Sequence, residues 1–184
     1  MIWFWLFWFY SFLGYLLERM FAKVVRSERQ VRKCFLLLPL CPVYGLAMVV
    51  FLSMTDAAVY GFWALALRGA VLTTLVEYAV HVFYEEAFGV RFWDYGDLPG
   101  SVWGRVCLPF SAAWGLLSAV SARVLQPLLI PLAAVMPPLL TYGALLLLTA
   151  DAVCSAALLL RYRDTELLSV QELRRRLSSA PPAS

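Results

Sequence analysis

Residues 137–160 read PPLLTYGALLLLTADAVCSAALLL, a run of 24 positions in which Asp151 is the one ionisable carboxylate or base. At about 1.5 Å per residue a helix of this length covers about 36 Å, enough for the roughly 30 Å hydrocarbon layer of a bilayer. Inside that layer a helix satisfies its own backbone N–H and C=O groups. Four runs of similar character precede it, Ile2 to Met20, Phe35 to Ser53, Ala57 to Phe83 and Cys107 to Ile130. They predict an all-α, polytopic membrane helix bundle with about five transmembrane helices. Residues 1–160 form a single transmembrane domain in this reading, and 161–184 form a tail.

Composition agrees. The chain has 184 residues, 62% hydrophobic and 15% charged, with a mean hydropathy of +0.76. That is more apolar mass than one soluble domain of this size can bury. The first run starts apolar at once, without a positive n-region or a small-residue cleavage site, and is expected to remain as a span.

Orientation follows from the basic residues. Thirteen of the 15 Lys and Arg fall in Arg19–Lys33, in the connection holding Arg91 and Arg105, or after Leu160. The links Met54–Asp56 and Pro131–Met136 hold none. The positive-inside rule then predicts a multi-pass protein of the cell (plasma) membrane, N-terminus out and C-terminus in. Trp3, Trp5, Trp8 and Tyr10 are expected to form an outer aromatic anchor. Lys23, Arg26, Arg29, Arg32 and Lys33 are read as a topology signal attracted to anionic lipid, not as a nucleic-acid surface. In the tail, Ser169 and Glu172 make a capping box, and Val170, Leu173 and Leu177 share a face, which predicts a short amphipathic helix on the membrane.

Reactive motifs are sparse. The cysteines Cys34, Cys41, Cys107 and Cys154 form no C-x-x-C pair and are expected as reduced thiols. Neither lysine follows a glycine, so there is no P-loop, and neither an H-E-x-x-H nor a G-x-S-x-G motif is present. No catalytic residue, metal ligand or cofactor is assigned. Chemistry would have to use carboxylates such as Glu85, Glu86, Asp94 and Asp97, and the reading leans against an enzyme.

Ionisable groups inside the spans each need a partner, a wet cavity or an escape to the interface. Glu18, Arg68, Glu77, His81, Arg123 and Asp151 are the intramembrane candidates. Similar expected depth makes Arg68 and Asp151 the predicted pair, as internal glue or as part of a polar pathway. Arg123 is expected to snorkel. Thr73, Glu77, His81 and Glu85 are spaced by four and form one helical stripe, read as packing in preference to a metal site. Ser111, Gly115 and Ala119, with Ser118 and Ala122 beside them, mark a face for close helix approach. The connection Arg91-Phe92-Trp93-Asp94-Tyr95-Gly96-Asp97-Leu98-Pro99-Gly100 mixes aromatic residues with turn formers, which predicts a structured interfacial or re-entrant loop.

These segments carry a resemblance. Leu38-Pro39-Leu40-Cys41-Pro42-Val43-Tyr44-Gly45 resembles the GPLCPIYG signature of the ABC-transporter type IV membrane proteins, the CmpB-like permeases. Ser11-Phe12-Leu13-Gly14-Tyr15-Leu16-Leu17-Glu18 is similar to that family's Ser-x-x-Gly-Trp-x-x-Glu. Glu77-Tyr78 with Glu85, the Arg91-Phe92-Trp93-Asp94-Tyr95 loop, and Gly104-Arg105-Val106-Cys107-Leu108 followed by Ser111 and Trp114-Gly115 resemble its later motifs in the same order. Leu38, Gly96 and Gly100-Ser101 depart from the pattern. The family motif would thus lie on Pro39, Cys41, Pro42, Tyr44 and Gly45, and the loop motif on Glu85, Arg91, Trp93, Asp94, Tyr95, Gly104 and Arg105.

The resemblance implies a transporter permease subunit of unknown substrate, without its own ATPase. Its partners would be the lipid bilayer, a separate ATPase subunit and further copies of the chain in a homo-oligomer. The alternative is a membrane scaffold or envelope-assembly protein. A membrane-embedded carboxylate or metal-dependent enzyme ranks third.

Overall fold

Proline and glycine set where the helices begin and end. Pro42, Pro109 and Pro138 stand in the first turns of α2 (Pro42–Ser53), α4 (Leu108–Val120) and α6 (Pro138–Tyr162), where a missing N–H costs nothing, while Pro127 stands where α5 (Gln126–Ala134) continues from α4. Gly89, at φ 67°, closes α3 (Phe62–Phe88). The first helix, α1, spans Ile2–Val24. The computed structural model describes residues 1–24 and 34–168. Arg26, Arg29, Arg32 and Lys33 of the basic segment, and the expected tail helix from Ser169, lie outside the described residues.

The membrane reading is upheld in kind: the described residues form an all-helical bundle. Three helices in them are long and apolar enough to cross a membrane, Phe62–Phe88, Leu108–Ala134 and Pro138–Tyr162, while Pro42–Ser53 is apolar but shorter. Leu108–Ala134 joins α4 and α5 through a π turn at Ser121–Leu125. The turn hands the Gln126 N–H back to Ser121, and the Gln126 side chain accepts from the Tyr10 hydroxyl at 2.9 Å. The first helix has 23 residues, but Glu18, Arg19 and Lys23 toward its end lower its hydropathy as a span.

The second expected run departs most. Residues 35–53 were expected to form one span, yet the helix begins only at Pro42. Pro39 and Pro42 stand close together, and proline disfavours the helical conformation in the residue before it, so 34–41 stays irregular. With 12 residues, α2 covers about 18 Å and cannot cross alone.

Two apolar clusters hold the bundle. One gathers Trp5, Leu6, Tyr10, Met48, Phe51 and Leu65 near the α2–α3 turn. The other gathers Cys41, Tyr84, Phe88, Phe92, Trp93 and Tyr95 around the α3–α4 connection. The expected aromatic anchor is therefore split: Trp3 is half-exposed, but Trp5 and Tyr10 are buried, and the Trp5 indole donates to Thr141 Oγ1 at 2.9 Å. Close approach of α3 and α4 depends on small residues. A Cβ on Gly69 would stand 2.5 Å from Ser118 Cβ, and one on Gly115 would stand 3.0 Å from Ala70 Cβ. The small-residue face of α4 is thus used inside the chain, against α3.

Candidate functional site

The crossing of α1 and α2 brings two of the quoted motifs together. A Cβ on Gly14 would stand 2.5 Å from Tyr44 Cβ, and one on Gly45 would stand 2.5 Å from the Phe7 carbonyl oxygen. Both glycines are therefore required by closeness. The backbone N–H of Cys41 donates to the Ser11 carbonyl at 2.9 Å, which docks the start of α2 on the middle of α1. Tyr44 then reaches Glu18: its hydroxyl donates to Glu18 Oε1 at 2.7 Å. Glu18 is 6% exposed. Trp114 of α4 lies against Tyr44, ring centroids 4.6 Å apart.

A cavity of about 410 Å³ opens beside this carboxylate. It runs between α1, α2 and α4, and Leu17, Phe21, Phe110 and Leu117 are among its otherwise apolar walls.

The second centre is the end of α3 and the connection after it. Thr73, Glu77 and His81 are all buried and share the face that packs into the bundle. His81 Nε2 lies 3.0 Å from the Trp93 carbonyl oxygen, so that nitrogen carries the hydrogen and donates. Its other nitrogen lies 3.5 Å from Glu85 Oε2. Glu85 joins both ends of the connection: Oε1 accepts from Arg91, and Oε2 accepts from Arg105 at 2.8 Å. Arg105 also donates to the Tyr78 hydroxyl at 2.8 Å and lies over the Trp103 ring. The Glu85 carboxylate pushes the Arg105 guanidinium further above its already high pKa, so its charge is permanent.

The connection is folded. The Tyr95 N–H donates to the Gly104 carbonyl at 2.7 Å, Val102 and Val106 pair as an antiparallel bridge, and the Trp93 indole donates to the Arg105 carbonyl at 2.8 Å. Asp94 turns its carboxylate to the Gly96 N–H at 2.9 Å and crowds Gly104, which sits at φ 74° with no room for a side chain. Phe92, Trp93 and Tyr95 are buried beneath, while Trp103 at the tip is 73% exposed at φ 52°.

The family model described as "Putative ABC-transporter type IV" matches residues 5–157. The chain belongs to this family. No curated protein and no solved structure matches it. Within the type IV chain the motifs have distinct physical work. Gly14, Glu18, Cys41, Tyr44 and Gly45 make the α1–α2 crossing, and Glu85, Arg91, Trp93, Asp94, Tyr95, Gly104 and Arg105 make the folded connection. Pro39 belongs to the irregular stretch that precedes α2.

The expected pairing of Arg68 with Asp151 is corrected. Asp151 Oδ1 and Oδ2 accept the backbone N–H groups of Leu37 and Leu38 at 3.2 and 3.1 Å. Arg68 donates to the Met54 carbonyl at 3.0 Å and lies over the Tyr60 ring at 4.5 Å. The reason lies in the irregular 34–41 stretch, whose amides lack helical acceptors and claim the carboxylate. Arg123 donates to the Tyr60 carbonyl at 2.6 Å, so both arginines of the type IV chain's spans bind carbonyls of the α2–α3 turn. Tyr78, Trp103 and Trp114 complete the two centres. No spacing in the sequence singled out these three, although Tyr78 and Trp114 stand inside quoted motifs.

Proposed function

We propose that this chain is the membrane-embedded, permease-like subunit of a transporter powered by a separate ATPase. In this reading it sits in the plasma membrane with its N-terminus outside, alone or as a homo-oligomer, and the ATPase docks on the α3–α4 connection. Family membership and the absence of a P-loop motif from this sequence support a divided machine. One observation carries the docking site: Glu85 on α3 holds Arg91 and Arg105, the two ends of the connection, with one carboxylate. A push on the exposed tip at Trp103 is then passed to α3 as the movement of one body. In this reading Glu18 and Glu77, buried on the inward faces of α1 and α3, line the path.

A photo-crosslinking residue in place of Trp103, used in native membranes, tests this. The expected product joins the chain to a nucleotide-binding subunit, and Arg105→Gln lowers its yield. A reproducible product with a partner lacking a nucleotide-binding domain would replace this reading with the scaffold alternative, for which the same exposed tip would serve.

A further inference from the structure

Two arginines meet at the turn between α2 and α3, and among the described residues neither is paired with an acid. Arg68, in the second turn of α3, sends Nη2 to the Met54 carbonyl at 3.0 Å and Nε to Thr55 Oγ1 at 3.5 Å, and its guanidinium lies over the Tyr60 ring. Arg123, from the π turn that joins α4 to α5, donates to the Tyr60 carbonyl at 2.6 Å. Tyr60 thus holds one guanidinium on its ring and the other on its carbonyl. These partners are all neutral: they orient the two charges without balancing them. A guanidinium has five N–H donors, so each arginine keeps at least three for a further acceptor. Asp56 is the carboxylate of the turn, and it accepts the Ala58 N–H at 2.8 Å and makes no ion pair with either arginine among the described residues.

The surroundings say what the missing anion is. Both arginines stand on helices long enough to cross a membrane, where a charge needs a partner, water or the interface. Leu67 and Val71 beside Arg68, and Val124 and Leu128 beside Arg123, are exposed, so apolar surface runs away from the two charges along both helices. Trp63, exposed and edge-on to Phe62, is the residue type that settles at headgroup level. A phosphodiester carrying acyl chains matches all of this: its oxygens suit the guanidinium fork, and its chains cover the apolar faces. A free phosphate would use the arginines alone.

We infer that Arg68 and Arg123 bind the phosphate of an anionic phospholipid, its acyl chains lying along the outward faces of α3 and the α4–α5 helix. An anionic head adds net negative charge to a turn with two arginines and one carboxylate. A zwitterionic head brings its own ammonium and adds none. The inference does not depend on the transporter reading, because binding needs neither an ATPase nor movement, and either can fail without the other.

The test places the full chain in phosphatidylcholine nanodiscs with a small, subsaturating share of phosphatidylglycerol that carries a photoreactive group near its head, and maps the adducts by peptide mass spectrometry. Adducts are expected within residues 59–71 and 120–128, competed by unlabelled phosphatidylglycerol but not by phosphatidylethanolamine or by millimolar inorganic phosphate. Arg68→Gln and Arg123→Gln should each lower their yield about fivefold, the weight of one basic side chain near an anionic headgroup. Adducts near Arg163, which stands beside Gly89 at the other end of α3, should stay as in the parent and show that the variants are folded. Arg123→Lys keeps the charge and should retain most of the yield. Absence of adducts from these two stretches, unchanged yields in both glutamine variants, an equal loss in Arg123→Lys, or equal competition by phosphatidylethanolamine would each overturn the inference. Displacement by inorganic phosphate would overturn it in favour of a soluble anion.

Discussion

Removing the Asp151 carboxylate should release the 34–41 stretch, and the size of the effect follows from the two contacts it makes. Asp151→Ala leaves the N–H groups of Leu37 and Leu38 without their acceptor. An unsatisfied buried donor costs about 1–3 kcal/mol in soluble proteins, while side-chain hydrogen bonds in membrane bundles average about 0.6 kcal/mol. Two donors left together in a site that is 9% exposed place the loss at about 2–4 kcal/mol. Asp151→Asn keeps one oxygen and turns an amide N–H toward the other donor, so about half of that loss is expected. Arg68→Met gives up a partly exposed carbonyl contact and a ring contact, about 1 kcal/mol.

The double variant separates the two accounts. If Arg68 and Asp151 act independently, their effects on unfolding in detergent add to within about 0.5 kcal/mol. An ion pair would instead make Arg68→Met rescue Asp151→Ala, because each single change would strand a charge. A second readout is maleimide labelling of Cys34, half-buried at the start of the stretch, in a Cys154→Ser background. Asp151→Ala should speed it several-fold. Coupling above about 1 kcal/mol, or an Asp151→Ala variant as stable as the parent, would refute the assignment.

Gly14→Ala and Gly45→Ala force a methyl group into Tyr44 and into the Phe7 carbonyl and should each cost about 2–3 kcal/mol of stability in detergent. Gly143→Ala on α6 meets nothing within 4 Å and is expected to be neutral or slightly stabilising, which makes it the control. Gly104→Ala combines a positive φ with a clash against Asp94, and trypsin should then cut at Arg105 faster than in the parent. Glu85→Gln and Arg105→Gln should each speed chymotrypsin cleavage at the exposed Trp103, and their combined effect should fall short of the sum, since both remove one contact.

Hydropathy alone made the α3, α4–α5 and α6 helices legible, because a run such as 137–160 has no other way to satisfy its backbone. It misjudged 35–53 for a local reason, the two prolines that keep 34–41 from joining α2. The error spread to Asp151. Had 34–41 been helical, its amides would have been occupied, and an arginine at matching depth would have been the natural partner. Depth counted along one helix also misplaces Arg68, which reaches back to the α2–α3 turn. Contacts such as Trp5 with Thr141 and Tyr10 with Gln126 join residues 136 and 116 positions apart, and no periodicity within a span reports on them.

Three carboxylates illustrate how environment sorts function from support. Asp151 is spent on two backbone amides and would serve in any protein that needs 34–41 held in place. Glu85 is shared between Arg91 and Arg105, so its charge closes the connection. Glu18 accepts from Tyr44 beside a cavity to which neither Asp151 nor Glu85 contributes. The Tyr44 hydroxyl that reaches it belongs to the side chain for which Gly14 leaves room, so this contact depends on the α1–α2 crossing. The crossing does not depend on the carboxylate in return, since Gly14, Gly45 and the Cys41 to Ser11 hydrogen bond already fix it. Glu18→Gln should therefore leave the α1–α2 crossing folded, with helix content by circular dichroism as in the parent.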